Sequence, residues 1–248
     1  VTGSNIEILR VEGLPEVKPG QELSSLLGPL LRENARPGDI LVVTHKIVSK
    51  AEGAVVDLST VEPSQWAQHW ASKWGKDARQ IEVVLRQSAA ILRMEYGIII
   101  SRTLHGLVCA NAGVDRSNSP GETVCLLPED PDASARKLCE QLSSELGFHL
   151  PVLISDSFGR AWRIGIVNVA VGVAGMSPFR DYRGQNDPHG YPLEASIMAS
   201  ADMLCSAAEL AMGKVDGVPA ALVRGFEWTP GPGQASSMIR PLEQDFFR

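Results

Sequence analysis

Cysteine is scarce in this 248-residue sequence: Cys109, Cys125, Cys139 and Cys205 stand far apart, with no CxxC pair. A chain this long buries enough apolar surface to fold without staples, so the four read as small core residues in a reducing cytosol. Positive charge is also short, 23 Lys and Arg against 29 Asp and Glu giving −6. That balance excludes a sequence-independent nucleic-acid binder, which needs a basic face to neutralise phosphates, and leaves room for a local patch that holds one small anion. No apolar run approaches the roughly 18 residues that span a bilayer. The opening VTGSNIEILRVEG has neither the basic nor the long apolar region of a signal peptide, so no membrane partner or export is expected.

The familiar nucleotide and hydrolase motifs are missing too. There is no GxxxxGKS or GxxxxGKT loop, no GxSxG elbow, no GxGxxG after the first strand, and no HxxxH or HExxH pair for zinc. No repeat with a period of 20–50 residues is visible.

What is present is an alternation of strand and helix patterns, which reads as mixed α/β or α+β. Strands are expected at 6–11, 40–43, 97–103, 107–110, 152–155, 168–173 and 220–223. Helices are expected at about 22–33, 63–73, 77–88, 131–146 and 193–212. The nearly all-helical stretch 61–88 reads as an insertion or a cap on a sheet. Trp66, Trp70 and Trp74 form one helical stripe suited to core or interface. After Phe226, TPGPGQASS punctuates a loop-rich, mobile tail.

Chemistry concentrates in a few loops. Lys46 and Lys50, four apart after the strand 40–43, lie on one helix face and both reach one anion. Asp115, in NAGVDRSN, and Asp156, in the polar loop DSFGR, follow strand-like runs. Carboxylates placed this way suit Mg²⁺ or Mn²⁺, although an Asp in a turn also serves as an Asx-turn former. Arg160 and Arg163, like Arg180 and Arg183, offer forks for carboxylate or phosphate, or else surface pairs with Asp181, Asp187 or Glu194. His45 and His189 suit acid, base or ligand roles, or simple hydrogen bonding.

The ordered segments GLPEVKPG, VVTHKIVSKAEG, NAGVDRSN, LPEDPDASA, SDSFGRAWRIG, DPHGYPLE and DGVPAALVRG together resemble the coenzyme F420:L-glutamate ligase family, from about Ile6 to Gly225. The resemblance implies an α+β fold of two intertwined mixed α/β subdomains without a P-loop, forming a cytoplasmic homodimer. It implies a ligase domain over 1–226 and a tail over 227–248. The implied activity is GTP-dependent addition of L-glutamate to a deazaflavin precursor, through an acyl phosphate, with extension of a γ-glutamyl tail in many members. The implied helpers are two divalent ions, Mg²⁺ or Mn²⁺, and a monovalent cation.

By motif, Asp115 and Asp156 correspond to ligands of one metal and to the catalytic centre, and Ser157 to a ligand of the second. Leu14, Pro15, Glu16, Val17, His45, Lys50, Asn118, Gly213 and Gly217 correspond to nucleotide contacts. Arg160, Arg163 and His189 are expected to hold substrate carboxylate or phosphate. The segment GKVDG departs from the family pattern, being shorter and lacking an acidic or amide residue found in some members. Some relatives continue into a flavin-binding domain, and its activity is not expected here. Ligation of a different acceptor is the competing enzyme reading, distinguished by acceptor specificity. A catalytically inactive binder of nucleotide or deazaflavin would bind without turnover, and intact Asp115, Asp156 and Lys50 oppose it.

Overall fold

The computed structural model describes residues 5–117 and 121–246. In chain order the strands are β1 (Glu7–Arg10), β2 (Ile40–Thr44), β3 (Val55–Asp57), β4 (Ser88–Glu95), β5 (Ile98–Thr103), β6 (Val108–Ala110), β7 (Thr123–Cys125), β8 (Val152–Arg160), β9 (Arg163–Ala174), β10 (Arg180–Asp181), β11 (Ile197–Met198) and β12 (Ala220–Arg224). The helices are α1 (Leu23–Arg32), α2 (His45–Glu52), α3 (Gln65–Trp74), α4 (Ala78–Arg86), α5 (Pro131–Leu146) and α6 (Ser200–Met212). Long helices and mixed sheets together make an α+β fold, as expected.

The main sheet runs β1-β12-β2-β8-β9. Only β2 and β8 are parallel; the other neighbours are antiparallel. Strand β2 is ILVVT, apolar on both sides because both faces of the sheet are covered. Leu41 and Val43 join α1, α2 and α5 on one face, through Leu27, Leu31, Leu138 and Leu142. Ile40 and Val42 face the opposite way and join α6, through Leu204, Cys205, Ala208 and Met212. Helix α5 starts where Asp130 caps the Ala133 N–H at 2.9 Å, with Pro131 in the first turn.

A second core belongs to α3, α4 and the sheet β4-β5-β6, around Leu58, Trp70, Val84 and Ile99. Of the tryptophan stripe, Trp70 is buried, Trp74 packs against it at 6.4 Å between ring centroids, and Trp66 is exposed. The four cysteines are free and buried.

Three local expectations are corrected. The segment 156–160 is strand, not loop: β8 continues past Ser155 because β9 keeps pairing with it down to Arg160↔Arg163. Strand β4 forms although SAAILRME favours helix; the Tyr96-Gly97 turn, with φ 53° and 73°, folds it back onto β5. Helix α6 begins at Ser200 rather than at Leu193, because Ile197–Met198 pairs with Arg180–Asp181.

Part of the segment after Phe226, from Trp228 to Ser236, packs against the rest of the fold. The Trp228 indole donates to Gly38 O at 3.0 Å, and Ala235 is buried. Buried Asp132 accepts from the N–H groups of Val173, Ala235 and Ser236 and from the Ser236 hydroxyl.

Where α5 begins it lies so close to β9 that a Cβ on Gly172 would stand 2.3 Å from Pro131 O. Gly172→Ala is therefore expected to lower stability by about 1–3 kcal/mol, the usual cost of overpacking a rigid contact. Urea denaturation checks this, and an unchanged midpoint would contradict the contact.

Candidate functional site

The parallel pair β2 and β8 ends at the register Thr44↔Ser155. Ligands in α/β sheets gather beyond such carboxyl ends, where side chains emerge without blocking one another. Beyond this pair lies a cleft of about 810 Å³, lined among others by residues within 109–117 and 213–219. Between Ile154 and Ser155 the ladder shifts by one, with Val171 the extra residue on β9. Such a bulge bends the hairpin and re-aims the residues that follow it, here Asp156 and Ser157.

Leu14, Pro15, Glu16, Val17, His45, Lys50, Asp115, Asp156, Ser157, Gly213 and Gly217 all line this cleft. Five separate stretches of sequence thus converge on one cleft. Asn118 lies outside the described residues. Arg160, Arg163 and His189 are not part of the lining. Arg160 turns back on its own hairpin, donating to Ile164 O and Gly165 O. Arg163 is exposed, and the exposed His189 sits in a turn whose backbone N–H donates to Asp187. Arg183 pairs with Asp181, the surface alternative.

Lys46 and Lys50 project from α2 into the cleft but meet different carboxylates. Lys46 Nζ is 2.6 Å from Asp115 Oδ2, and Lys50 Nζ is 2.6 Å from Glu16 Oε1. Asp115 Oδ1 also accepts the Ser117 N–H at 2.7 Å, and Oδ2 the Ser117 hydroxyl. Burial pushes the Asp115 carboxyl upward, but the Lys46 ammonium and the Ser117 donors outweigh it and leave the pKa lowered. A lowered carboxyl stabilises the folded chain above the ordinary aspartate value of about 3.9, and that contribution is lost as pH falls through the lowered pKa. The carboxyl-carbon NMR midpoint of Asp115 is expected below that value and to rise in Lys46→Met. A midpoint unmoved by the substitution would contradict the pairing.

His45, the first residue of α2, is 1% exposed. Its Nδ1 lies 3.3 Å from Ser49 Oγ. Its Nε2 lies 3.3 Å from Asp156 Oδ1 yet lacks hydrogen-bond geometry, so a buried ring nitrogen is left without a partner at the cleft wall. Buried polar atoms are rarely left so, and one facing a cleft marks a place for a ligand. Cys109, on the same wall, has its thiol pushed up to about 12 by burial and by the Asp156 charge. It stays protonated near neutral pH and offers no nucleophile.

The far wall carries groups that motif reading passed over. Ser157 Oγ donates to Asn168 Oδ1 at 2.7 Å, and Asn168 Nδ2 donates to Glu209 Oε2 at 2.8 Å. Lys214 Nζ donates to Ser157 Oγ and pairs with Glu209 Oε1 at 2.9 Å. Glu209 was hidden in the Ala-rich pattern of α6 and Asn168 in an apolar strand. Lys214 carried one signal, its place in the divergent GKVDG segment.

The cleft thus joins three lysines to the carboxylates of Glu16, Asp115, Asp156 and Glu209, an arrangement suited to a polyanionic ligand and a hard cation. Among the described residues no group of three or more His, Cys, Asp or Glu is arranged to hold a metal ion. No helix among the described residues is long and apolar enough to cross a membrane.

Comparison with known proteins bears on what this cleft serves. A family model described as F420-0:gamma-glutamyl ligase matches residues 13–225. The coenzyme F420:L-glutamate ligase of Methanopyrus kandleri is 43% identical over 248 residues, covering 97% of this chain and 98% of that protein. Its namesake from Methanothermobacter thermautotrophicus is 43% identical over 249 residues, covering 98% and 99%. The one from Methanocaldococcus jannaschii is 38% identical over 246 residues, covering 98% and 97%. The matched span begins beside Leu14 at one wall of the cleft and ends just beyond β12, enclosing every described cleft residue, and with relatives aligned almost end to end the chain belongs to the F420-0:gamma-glutamyl ligase family, a family of ligases.

Proposed function

We propose that this chain uses GTP to join L-glutamate to a deazaflavin coenzyme F420 precursor and then extends a γ-glutamyl tail. The observation that carries the reading is the cleft: Asp115 and Asp156 on one side and Lys46, Lys50 and Lys214 around it, at the carboxyl ends of β2 and β8. The precursor carboxylate attacks the γ-phosphorus of GTP, the bond to the β-phosphate oxygen breaks, and GDP leaves. The glutamate amine then attacks the acyl carbon, releases phosphate and loses a proton. Both steps build negative charge on phosphate oxygens, so the protein's work is to position reactants and place positive charge.

Lys50 is suited to the nucleotide phosphates, its side chain only 13% exposed and held toward the cleft by Glu16. Segment 14–17 forms the adjoining wall. Asp115 and Asp156 would hold a divalent ion: both carboxylates line the cleft, and the orphaned His45 Nε2 lies beside Asp156. When bound, such an ion supplies charge neutralisation at the phosphate oxygens. The Ser157 side does not fit a second ion, because its hydroxyl and both Glu209 oxygens are already engaged.

The chain is taken to work as a homodimer in the cytoplasm. Supporting the dimer, the β8–β9 hairpin carries Trp162, Ile164 and Ile166 at 72%, 99% and 59% exposure, an apolar tip suited to a second copy. Light scattering at one chain mass would refute this.

Lys50→Ala is expected to weaken GDP binding about 10-fold, the loss of one charge-assisted contact. Calorimetry that finds equal affinity would remove Lys50 from the phosphate site. The acyl-phosphate route is tested with ¹⁸O in the precursor carboxylate. One label is expected in the released phosphate, and unlabelled phosphate would contradict the route.

A further inference from the structure

The cleft holds two polar clusters. Asp115 is paired with the Lys46 ammonium, whereas Asp156 meets His45 Nε2 at 3.3 Å and accepts the Ser157 N–H. Beyond Ser157, whose N–H donates to Asp156, the Glu209 carboxylate is matched by the Lys214 ammonium. Every side-chain oxygen of the second cluster has a partner: Ser157 Oγ and Asn168 Oδ1 share a bond, Glu209 Oε2 takes the Asn168 amide, and Glu209 Oε1 takes Lys214. An ammonium carries three donors, and Ser157 and Glu209 use two of them. The third is left for an anion in the cleft that Lys214 lines.

Resting on the nucleotide reading above, we propose that Lys214 is the positive charge on this side of the cleft: the site takes one divalent cation, at Asp115 and Asp156, and Lys214 occupies the position of a second. A dication placed here would meet the Lys214 ammonium, which donates to Ser157 Oγ, and would have to displace it from Glu209. Glu209 and Asn168 act as positioning residues, holding the ammonium against Ser157 so that it contacts a phosphate oxygen directly. A point charge on a flexible stem suits this task, since it follows the phosphate without demanding fixed coordination geometry.

The test counts ions rather than turnover. Mn²⁺ bound per chain is measured by electron paramagnetic resonance at saturating GDP, for the native chain, Lys214→Gln and Lys214→Arg. Lys214→Gln replaces the ammonium by an amide and frees Glu209, so oxygen donors face the cleft. The expected counts are one Mn²⁺ for the native chain, two for Lys214→Gln and one for Lys214→Arg. Two ions in the native chain, or a single ion in Lys214→Gln, would overturn the assignment. GDP failing to bind native chain would overturn the nucleotide reading as well, and separate calorimetry of GDP tells the two failures apart.

Discussion

Asp156→Asn is expected to lower ligation by about 100- to 1,000-fold, because several kcal/mol of charge stabilisation are lost at about 1.4 kcal/mol per tenfold in rate. Asp156 is placed by the bulge at Ile154/Ser155 and faces the cleft with its side chain 14% exposed. Asparagine keeps the size and an oxygen that accepts the Ser157 N–H, now at 2.6 Å from Oδ1. The fold should therefore survive, with unchanged circular dichroism and thermal midpoint. The loss is expected together with weaker metal dependence, read from rates across a Mg²⁺ titration. A variant with near-normal turnover and the native metal dependence would remove Asp156 from the centre.

The largest stability effect is expected at a residue with no part in the chemistry. Asp132 accepts three backbone N–H groups, of Val173, Ala235 and Ser236, and one hydroxyl. Asp132→Ala strands those donors at a buried site, where each orphaned group costs about 1–3 kcal/mol. With partial rehydration the expected loss is about 3 kcal/mol or more. Asp132→Asn should fall between, since its amide oxygen still accepts. Urea unfolding followed by tryptophan fluorescence reads both, and an Asp132→Ala midpoint matching the native one would show that the C-terminal segment is held by other contacts.

These two residues mark where the sequence is readable and where it is not. Patterns set by a single period were legible: ILVV as a two-sided strand, and the 131–146 helix from the Asp130-Pro131 start. Segments whose structure is decided by a distant partner were not. DSFGR has loop composition, and only the matching length of β9 makes it a strand. SAAILRME has helix composition, and only β5 makes it β4.

The site divides in the same way. Motif residues from five stretches fall on one cleft, and their order and spacing made them legible. Glu209 and Asn168 were invisible because nothing local distinguishes them; their role comes from meeting across α6 and β9. The role of Asp132 is equally silent, since its partners lie 41 and more residues away.

The central claim is tested most directly by supplying the chain with the deazaflavin precursor, L-glutamate, GTP and Mg²⁺ or Mn²⁺, and following product mass and GDP together. Successive additions of one glutamate, each matched by one GDP, are the predicted result. GDP release without added mass would mean that the cleft turns over nucleotide for a different acceptor. Neither product nor GDP, with a working ligase as control, would contradict the account.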